Sequence, residues 1–449
     1  MVDLSEKNAL YNILQNIFYS ILKDEKDYNK IRIFELIIPI FIFNNFKSVK
    51  SCIDFSVEHI SQYKKSSFYN TVNDPRLNIE NWTDNILLYI DDIIEKYGVK
   101  KQYMISSLDD SLSIKAGTHF EGIKNLFDHT NRKNQKYVLA HDIVTILSAI
   151  PIVDNNIKDY IEIPVASKVK EENETKLEIA SNLVTKIYNH FHEKMNLLFC
   201  FDSWFPKGIF LKTLIDLNVD IICSVKSNTV LYEPEPSNSK NKRGPKSKHG
   251  RKLNIKDSND FKLIPIPNSH IMMSARPVKS RLFGDKLVYA LVTYFPKKKS
   301  YHLFICTNIN IVDQFDFSFI AEEEAKKFVN TNSNFIIYAI YKERWKIETT
   351  FYQQKKFWGI DKYMVRSFVG IENIVNILNL TYAIMSMIPY IDNNFIKLKN
   401  KSNQIKRYEI GIRIYELIIL NKIIEYIPDT NNKNIIENFL NEMISNLSL

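Results

Sequence analysis

LLFCFDSWFPKGIFLKTLIDLNVDIICSV, residues 197–225, decides the fold class. Leu197–Phe201 is an unbroken apolar run, with the length and composition of a strand buried on both faces. Lys207–Leu217 changes to helical spacing, and Asp220–Val225 returns to a strand. Working outward, Gln102–Leu108 and Tyr137–Leu147 read as strands. Thr175–His192 carries Leu177, Ala180, Val184, Ile187 and Phe191 at helical spacing. Strands followed by helix, strand, helix and strand predict a mixed α/β sheet with buried central strands.

The flanks have a different texture. Residues 1–95 read as helices, including Asn8–Leu22 and Asn85–Tyr97. Val49–Ile60 and Ser66–Asn73, joined by a short turn with Lys64 and Lys65, have the form of a helix-turn-helix or of a plain helical bundle. Beyond Tyr232, Glu233–Gly250 is rich in Pro, Ser, Asn and Lys and reads as an exposed basic loop. Leu287–Phe295 and Tyr301–Cys306 read as a hairpin, so a β-rich insertion is expected over 228–312. A long helix is predicted from Ser333 to Lys356, and helices from Ile371 to the end. The expected division is 1–98 helical, 99–227 first part of the core, 228–312 insertion, 313–370 second part of the core and 371–449 helical.

Composition narrows the partners. The 449 residues hold 60 Lys and Arg against 51 Asp and Glu, a net charge of +9. Residues 1–95 carry 10 against 14, whereas 240–299 carry 16 against 3. Positive charge concentrated in one segment points to a polyanion, and nucleic acid is preferred over a solvated loop. Four scattered cysteines at 52, 200, 223 and 306 suggest neither a zinc site nor a disulfide framework. The start, MVDLSEKNAL, has no basic region leading into an apolar stretch, so no signal peptide is read and a cytoplasmic protein is expected. Ile371–Ile391 is long enough to cross a bilayer, but Glu372, Asn373, Asn376 and Asn379 interrupt it. A buried core helix, and no membrane, is expected.

Two places carry chemistry. Tyr341, Arg344, Glu348 and Lys355 are spaced by three, four and seven residues, which puts them on one face of a helix. A carboxylate flanked by cations suits a metal ion beside a phosphate, although a surface ladder of ion pairs has the same spacing. Asp202 directly follows the strand Leu197–Phe201, and Asp109 and Asp110 follow Gln102–Leu108. Neighbours on a strand point to opposite faces, so at most one of Asp109 and Asp110 can share a site with Asp202.

The spacing Tyr341-x2-Arg344-x3-Glu348-x6-Lys355 resembles the Tyr-Arg-Glu-Lys signature of DDE transposases from bacterial insertion sequences. SLDDSLSIKAGTHFEGIKNLFDHT (107–130) resembles the first-aspartate region of that family, and LLFCFDSWFPKGIF (197–210) the second. KNKRGPKSKHG (240–250) resembles its basic loop, in a degenerate form. ICTNINI (305–311) and IYKERWKIETTFYQQKKFWGI (340–360) resemble its last strand and catalytic helix. The likeness spans about 100–370. Ser111 stands where Thr is frequent.

The resemblance implies a ribonuclease H-like mixed sheet interrupted by a β-rich insertion, with a catalytic triad of Asp110, Asp202 and Glu348. Asp110, with Ser111 after it, is taken in preference to Asp109. It further implies two Mg²⁺ or Mn²⁺ ions held by that triad, cleavage of transposon ends and their joining to target DNA. Tyr341, Arg344 and Lys355, with Lys242, Arg243, Lys246 and Lys248 of the basic loop, are expected to contact duplex DNA, and a dimer is expected in the DNA complex. Cys200 and Ser203 are read as packing, His119 and His129 as loop or outer residues, and Trp204 and Trp358 as buried in preference to stacking on a base. The competing readings are a transposase-derived DNA-binding protein without catalysis and a cellular nuclease on the same fold.

Overall fold

The structure is a computed structural model. It describes residues 4–43, 48–128, 136–234, 249–284, 286–320 and 323–425. The loop residues Lys242, Arg243, Lys246 and Lys248, and His129, lie outside these.

Five helices come first: α1 (Leu4–Ile21), α2 (Asp27–Ile42), α3 (Val49–His59), α4 (Lys65–Val72) and α5 (Ile79–Tyr97). They do not stand apart from the rest. The last helices, α12 (Phe368–Ile391) and α13 (Asn403–Glu425), pack among them. Gly411 of α13 makes the closest approach, since a Cβ there would sit 2.1 Å from the carbonyl oxygen of Phe41. The buried Arg407 donates to the carbonyls of Ile40 and Phe43, which meets acceptors left open at the end of α2. As expected, α12 is a buried core helix. Its amides are satisfied internally: Asn373 donates to the carbonyls of Val72 and Asp74 (2.9 and 3.0 Å), and Asn379 to that of Pro164 (3.1 Å).

Between these helices lies a mixed sheet of 12 strands. In chain order the elements are β1 (Tyr103–Ile114), β2 (Lys124–Phe127), β3 (Tyr137–Asp154), β4 (Ile157–Val169), α6 (Lys176–Phe191), β5 (Asn196–Phe201), α7 (Gly208–Asp216) and β6 (Asp220–Val225). Then come β7 (Leu231–Tyr232), β8 (Lys252–Leu253), β9 (Ile264–Pro265), β10 (Met272–Lys279), β11 (Leu287–Phe295) and β12 (Ser300–Cys306). Short helices α8 (Ile311–Gln314) and α9 (Glu323–Thr331) lead to α10 (Ile336–Glu343) and α11 (Trp345–Gln353). β1 runs antiparallel to β3 and parallel to β5, and β5 is parallel to β6. The segment expected as an insertion is β-rich, and it extends the same sheet: β12 pairs antiparallel with β6.

Two expectations needed correction. The strand predicted to stop at Leu108 continues to Ile114, so Asp109 and Asp110 lie within β1 and not at its end. The helix predicted from Ser333 to Lys356 is interrupted. α10 gives way to α11 at Arg344, and Gln354–Trp358 forms a π-helical turn closed by Gly359 at φ 69°.

Candidate active site

Strand parity sorts the carboxylates. Tyr103 and Ile105 of β1, with Leu198 and Cys200 of β5, face a core cluster that includes Ile340 and Tyr341 of α10. Met104 and Leu108, with Phe199 and Phe201, face the opposite cluster, which includes Ile179 and Val184 of α6. By alternation Asp109 is on the α10–α11 side and Asp110 on the α6 side. Ser107 pairs with Cys200 and Leu108 with Phe201, so one step further along the two parallel strands Asp109 comes level with Asp202. A turn fixes Asp202 there, its Oδ1 accepting the N–H of Trp204 at 2.9 Å.

The side chains follow that sorting. Asp109 Oδ2 accepts from Arg344 Nη1 at 2.9 Å, and Glu348 Oε1 accepts from Arg344 Nη2 at 2.6 Å. One guanidinium therefore links the strand carboxylate to the helix carboxylate. Burial pushes the Asp109 carboxyl up to about 7; Arg344 opposes the rise, while Asp202 and Asp110 add to it. Burial disfavours the Arg344 charge, but Tyr341, Asp109 and Glu348 outweigh it and its pKa is raised.

Asp110 belongs to a second cluster. Lys176, in the first turn of α6, lies 3.0 Å from Asp110 Oδ2 and 3.1 Å from Asp142 Oδ2 on β3. The position of Lys176 is fixed by a capping box in which Thr175 and Glu178 bond reciprocally. Asp110 thus lines the same cleft as Asp202 while paired to Lys176, whereas Asp109 is the one bonded to Arg344 beside Glu348. Neither Lys176 nor Asp142 was singled out from sequence, although Thr175-x-x-Glu178 marks the helix start that delivers Lys176.

The other signature residues face inward and not toward solvent. Tyr341 is buried against Phe304, with ring centroids 4.7 Å apart. Arg344 is only 7% exposed. Lys355 donates to the carbonyl of Leu112 at 2.9 Å from within the π-helical turn, and burial lowers its pKa. Lys355 also lines a cleft of about 910 Å³ with Asp109, Asp110, Asp202, Lys176 and Trp204. Trp358 is fully buried, whereas Trp204 is exposed, with the ammonium groups of Lys207 and Lys176 3.9 and 4.5 Å from its ring centre. Cys200 is buried, as a packing role requires, and His119 is in a loop outside this cleft.

A profile of the transposase DDE domain matches residues 164–384. Residues 164–384 are thus a DDE domain of the transposase type. The matched stretch takes in Asp202 and Glu348 but begins after β1, so it does not choose between Asp109 and Asp110. No curated protein matches the chain. Proteins of this family act on DNA with divalent metal ions, and the oxygen-only set of Asp109, Asp202 and Glu348 suits a hard cation. Among the described residues no three acidic, His or Cys side chains converge closely enough to chelate an ion as they stand. The cation between Asp109 and Glu348 is Arg344.

Asp142 provides a test of the second cluster. It is 4% exposed, and its Oδ1 has no hydrogen-bond partner. Burial pushes its carboxyl up to about 7, helped by Asp110 and opposed by Lys176. An acid with a raised pKa contributes stability that is complete below the usual carboxyl range and is lost as pH rises through about 7. Asp142→Asn should therefore be more stable than wild type at pH ~8, on the order of 2 kcal/mol. Its stability should also fall less between about pH 5 and 8. Asp109 titrates with the same sign, so some slope remains. Urea unfolding at the two pH values measures this, and an unchanged slope would rule out the assignment.

Proposed function

We propose that this chain cuts the ends of a DNA transposon and joins them to target DNA, using Asp109, Asp202 and Glu348. The observation carrying this reading is that Asp109 and Asp202 stand level on adjoining parallel strands, on the face toward the helix bearing Glu348. The sheet supports a ribonuclease H-like core: β4, β3, β1, β5 and β6 lie side by side, with β3 antiparallel to its neighbours β4 and β1, and β1, β5 and β6 parallel. The boundaries inferred from sequence (1–98, 99–227, 228–312, 313–370 and 371–449) are kept as the working division, with the insertion joined to the core sheet through β12.

Asp109, Asp202 and Glu348 would hold two Mg²⁺ or Mn²⁺ ions. When bound, such ions polarise a phosphodiester and lower the pKa of attacking water or a 3′-hydroxyl. The chain supplies the rest. β1 and β5 hold two carboxylates rigidly, and the turn at Trp204 orients Asp202. Arg344 keeps Asp109 and Glu348 in register. Lys176, Lys207, Lys226 and Lys355 line the cleft, so a DNA backbone entering it meets positive charge. Lys242, Arg243, Lys246 and Lys248 are proposed to add phosphate contacts, and a dimer to hold two ends together.

The test uses the full chain with DNA carrying the termini of its element. Nicking and end-joining should appear with Mg²⁺ or Mn²⁺. Ca²⁺ should support binding with little cleavage, because its looser coordination does not fix an in-line geometry. Full activity in excess chelator would end the metal-dependent reading.

A further inference from the structure

Behind the catalytic helix, on the side away from the carboxylates, is a polar cavity of about 290 Å³. Its walls come from β4, α11, α12 and the start of α13. Lys406, in the first turn of α13, lines it and is only 6% exposed. Among the described residues its ammonium group has neither a hydrogen bond nor an ion pair. The acid nearest in effect, Glu162, is held by Lys346 at 2.8 Å. The remaining lysine of the cavity, Lys401, is held by Glu409 at 2.6 Å. Ser386 accepts from Asn403 at 2.7 Å, which leaves its own proton to give. A buried cation whose nearest acid is already held by another lysine is only partly compensated.

A second feature points to the same ligand. α13 is 23 residues long, and the residues at its start, Asn400–Asn403, line the cavity. The positive end of a long helix attracts anions, and its first N–H groups lack partners within the helix. A buried lysine and a helix N-terminus therefore converge on one cavity.

We propose that this cavity is a binding site for a small phosphate-bearing anion, with Lys406 as its anchor. The ligand is a free oxyanion and not the DNA backbone, because a space of about 290 Å³ takes a compact anion and does not admit a duplex. The cavity is at the small end of ligand sites, which fits a compact anion. Burial lowers Lys406 to about 8, so the amine is still mostly protonated near neutral pH. The site does not depend on the cleavage chemistry proposed above. Its occupancy would brace α11, which contributes Lys346, Thr349 and Thr350 to the wall and carries Glu348 on another face.

The probe is inorganic phosphate, titrated into the full chain at constant ionic strength against chloride. The thermal midpoint should rise saturably, by several degrees at tens of millimolar. Lys406→Met should keep its fold, since replacing an unpaired buried charge by an apolar group of similar volume is neutral or stabilising. It should weaken phosphate binding by at least about tenfold. Phosphate also stabilises proteins generally, so an equal response in Lys406→Met would refute the site. Broadening of the phosphorus resonance of phosphate by wild-type protein is an independent readout that does not need the variant to fold, and its absence would also refute the site. A duplex with 5′-hydroxyl ends is the last arm. A Lys406-dependent response to DNA but not to free phosphate would show that the anchor serves the DNA backbone, against the proposal.

Discussion

Asp109→Asn should abolish DNA cleavage, whereas Asp110→Asn should leave most of it. Losing a carboxylate that holds the catalytic metal is expected to cost about 10³-fold or more in rate, and Asp202→Asn and Glu348→Gln should match it. DNA binding should change little in all three. Asp110 lines the cleft but is paired to Lys176, which also holds Asp142, so under the proposed assignment its substitution disturbs that ion pair and removes no metal ligand. A several-fold loss is expected, with normal metal dependence. Single-turnover nicking of an end-labelled duplex separates the two variants. If Asp110→Asn is the silent enzyme and Asp109→Asn the active one, the strand parity has been assigned to the wrong face.

This pair shows where sequence reading ran out. Leu197–Phe201, Lys207–Leu217 and Asp220–Val225 were legible because a buried strand is a short apolar run and a covering helix has its own period. α3 and α4 were legible for the same reason; α12 is long and apolar enough to cross a membrane, and Glu372, Asn373, Asn376 and Asn379 were the hint that it is instead buried within the fold. β1 was misjudged at its end. After Leu108 it leaves the core and lines the cleft, so Asp109–Ser111 are polar within a strand and resemble a turn. The expected helix through Arg344 contains no Gly or Pro to mark its interruption or the π-helical turn. The β3–β4 hairpin was missed although its turn has a signal, Asn155 and Asn156 at φ 49° and 66°. Of the four signature residues the structure joins Arg344 to Glu348 directly, while Tyr341 packs on Phe304 and Lys355 bonds the carbonyl of Leu112 from the π-helical turn. Whether these side chains faced solvent or β1 depended on tertiary packing. Trp204 and Trp358, alike in sequence context, differ in burial for the same reason.

Arg344→Ala should destabilise the protein in chelator and impair nicking and joining together. The guanidinium is buried and bonded at once to Asp109 and Glu348. Removing it leaves two acids facing each other beside Asp202 with no cation. Breaking a fully buried pair costs about 3–5 kcal/mol. Glu348 is partly solvated, so about 2–3 kcal/mol is expected here. Arg344→Lys should recover less than half, because an ammonium cannot reproduce the planar fork that spans two carboxylates. Mg²⁺ should restore part of the lost stability by supplying the missing charge. Both chemical steps use the same carboxylates, so misplacing Asp109 and Glu348 should slow both by similar factors. Urea unfolding in chelator and in Mg²⁺, with nicking and joining measured on intact and pre-nicked ends, makes the test. Unchanged stability with loss confined to joining would mean that Arg344 leaves its carboxylates to hold a DNA phosphate, the role its place in the signature suggested.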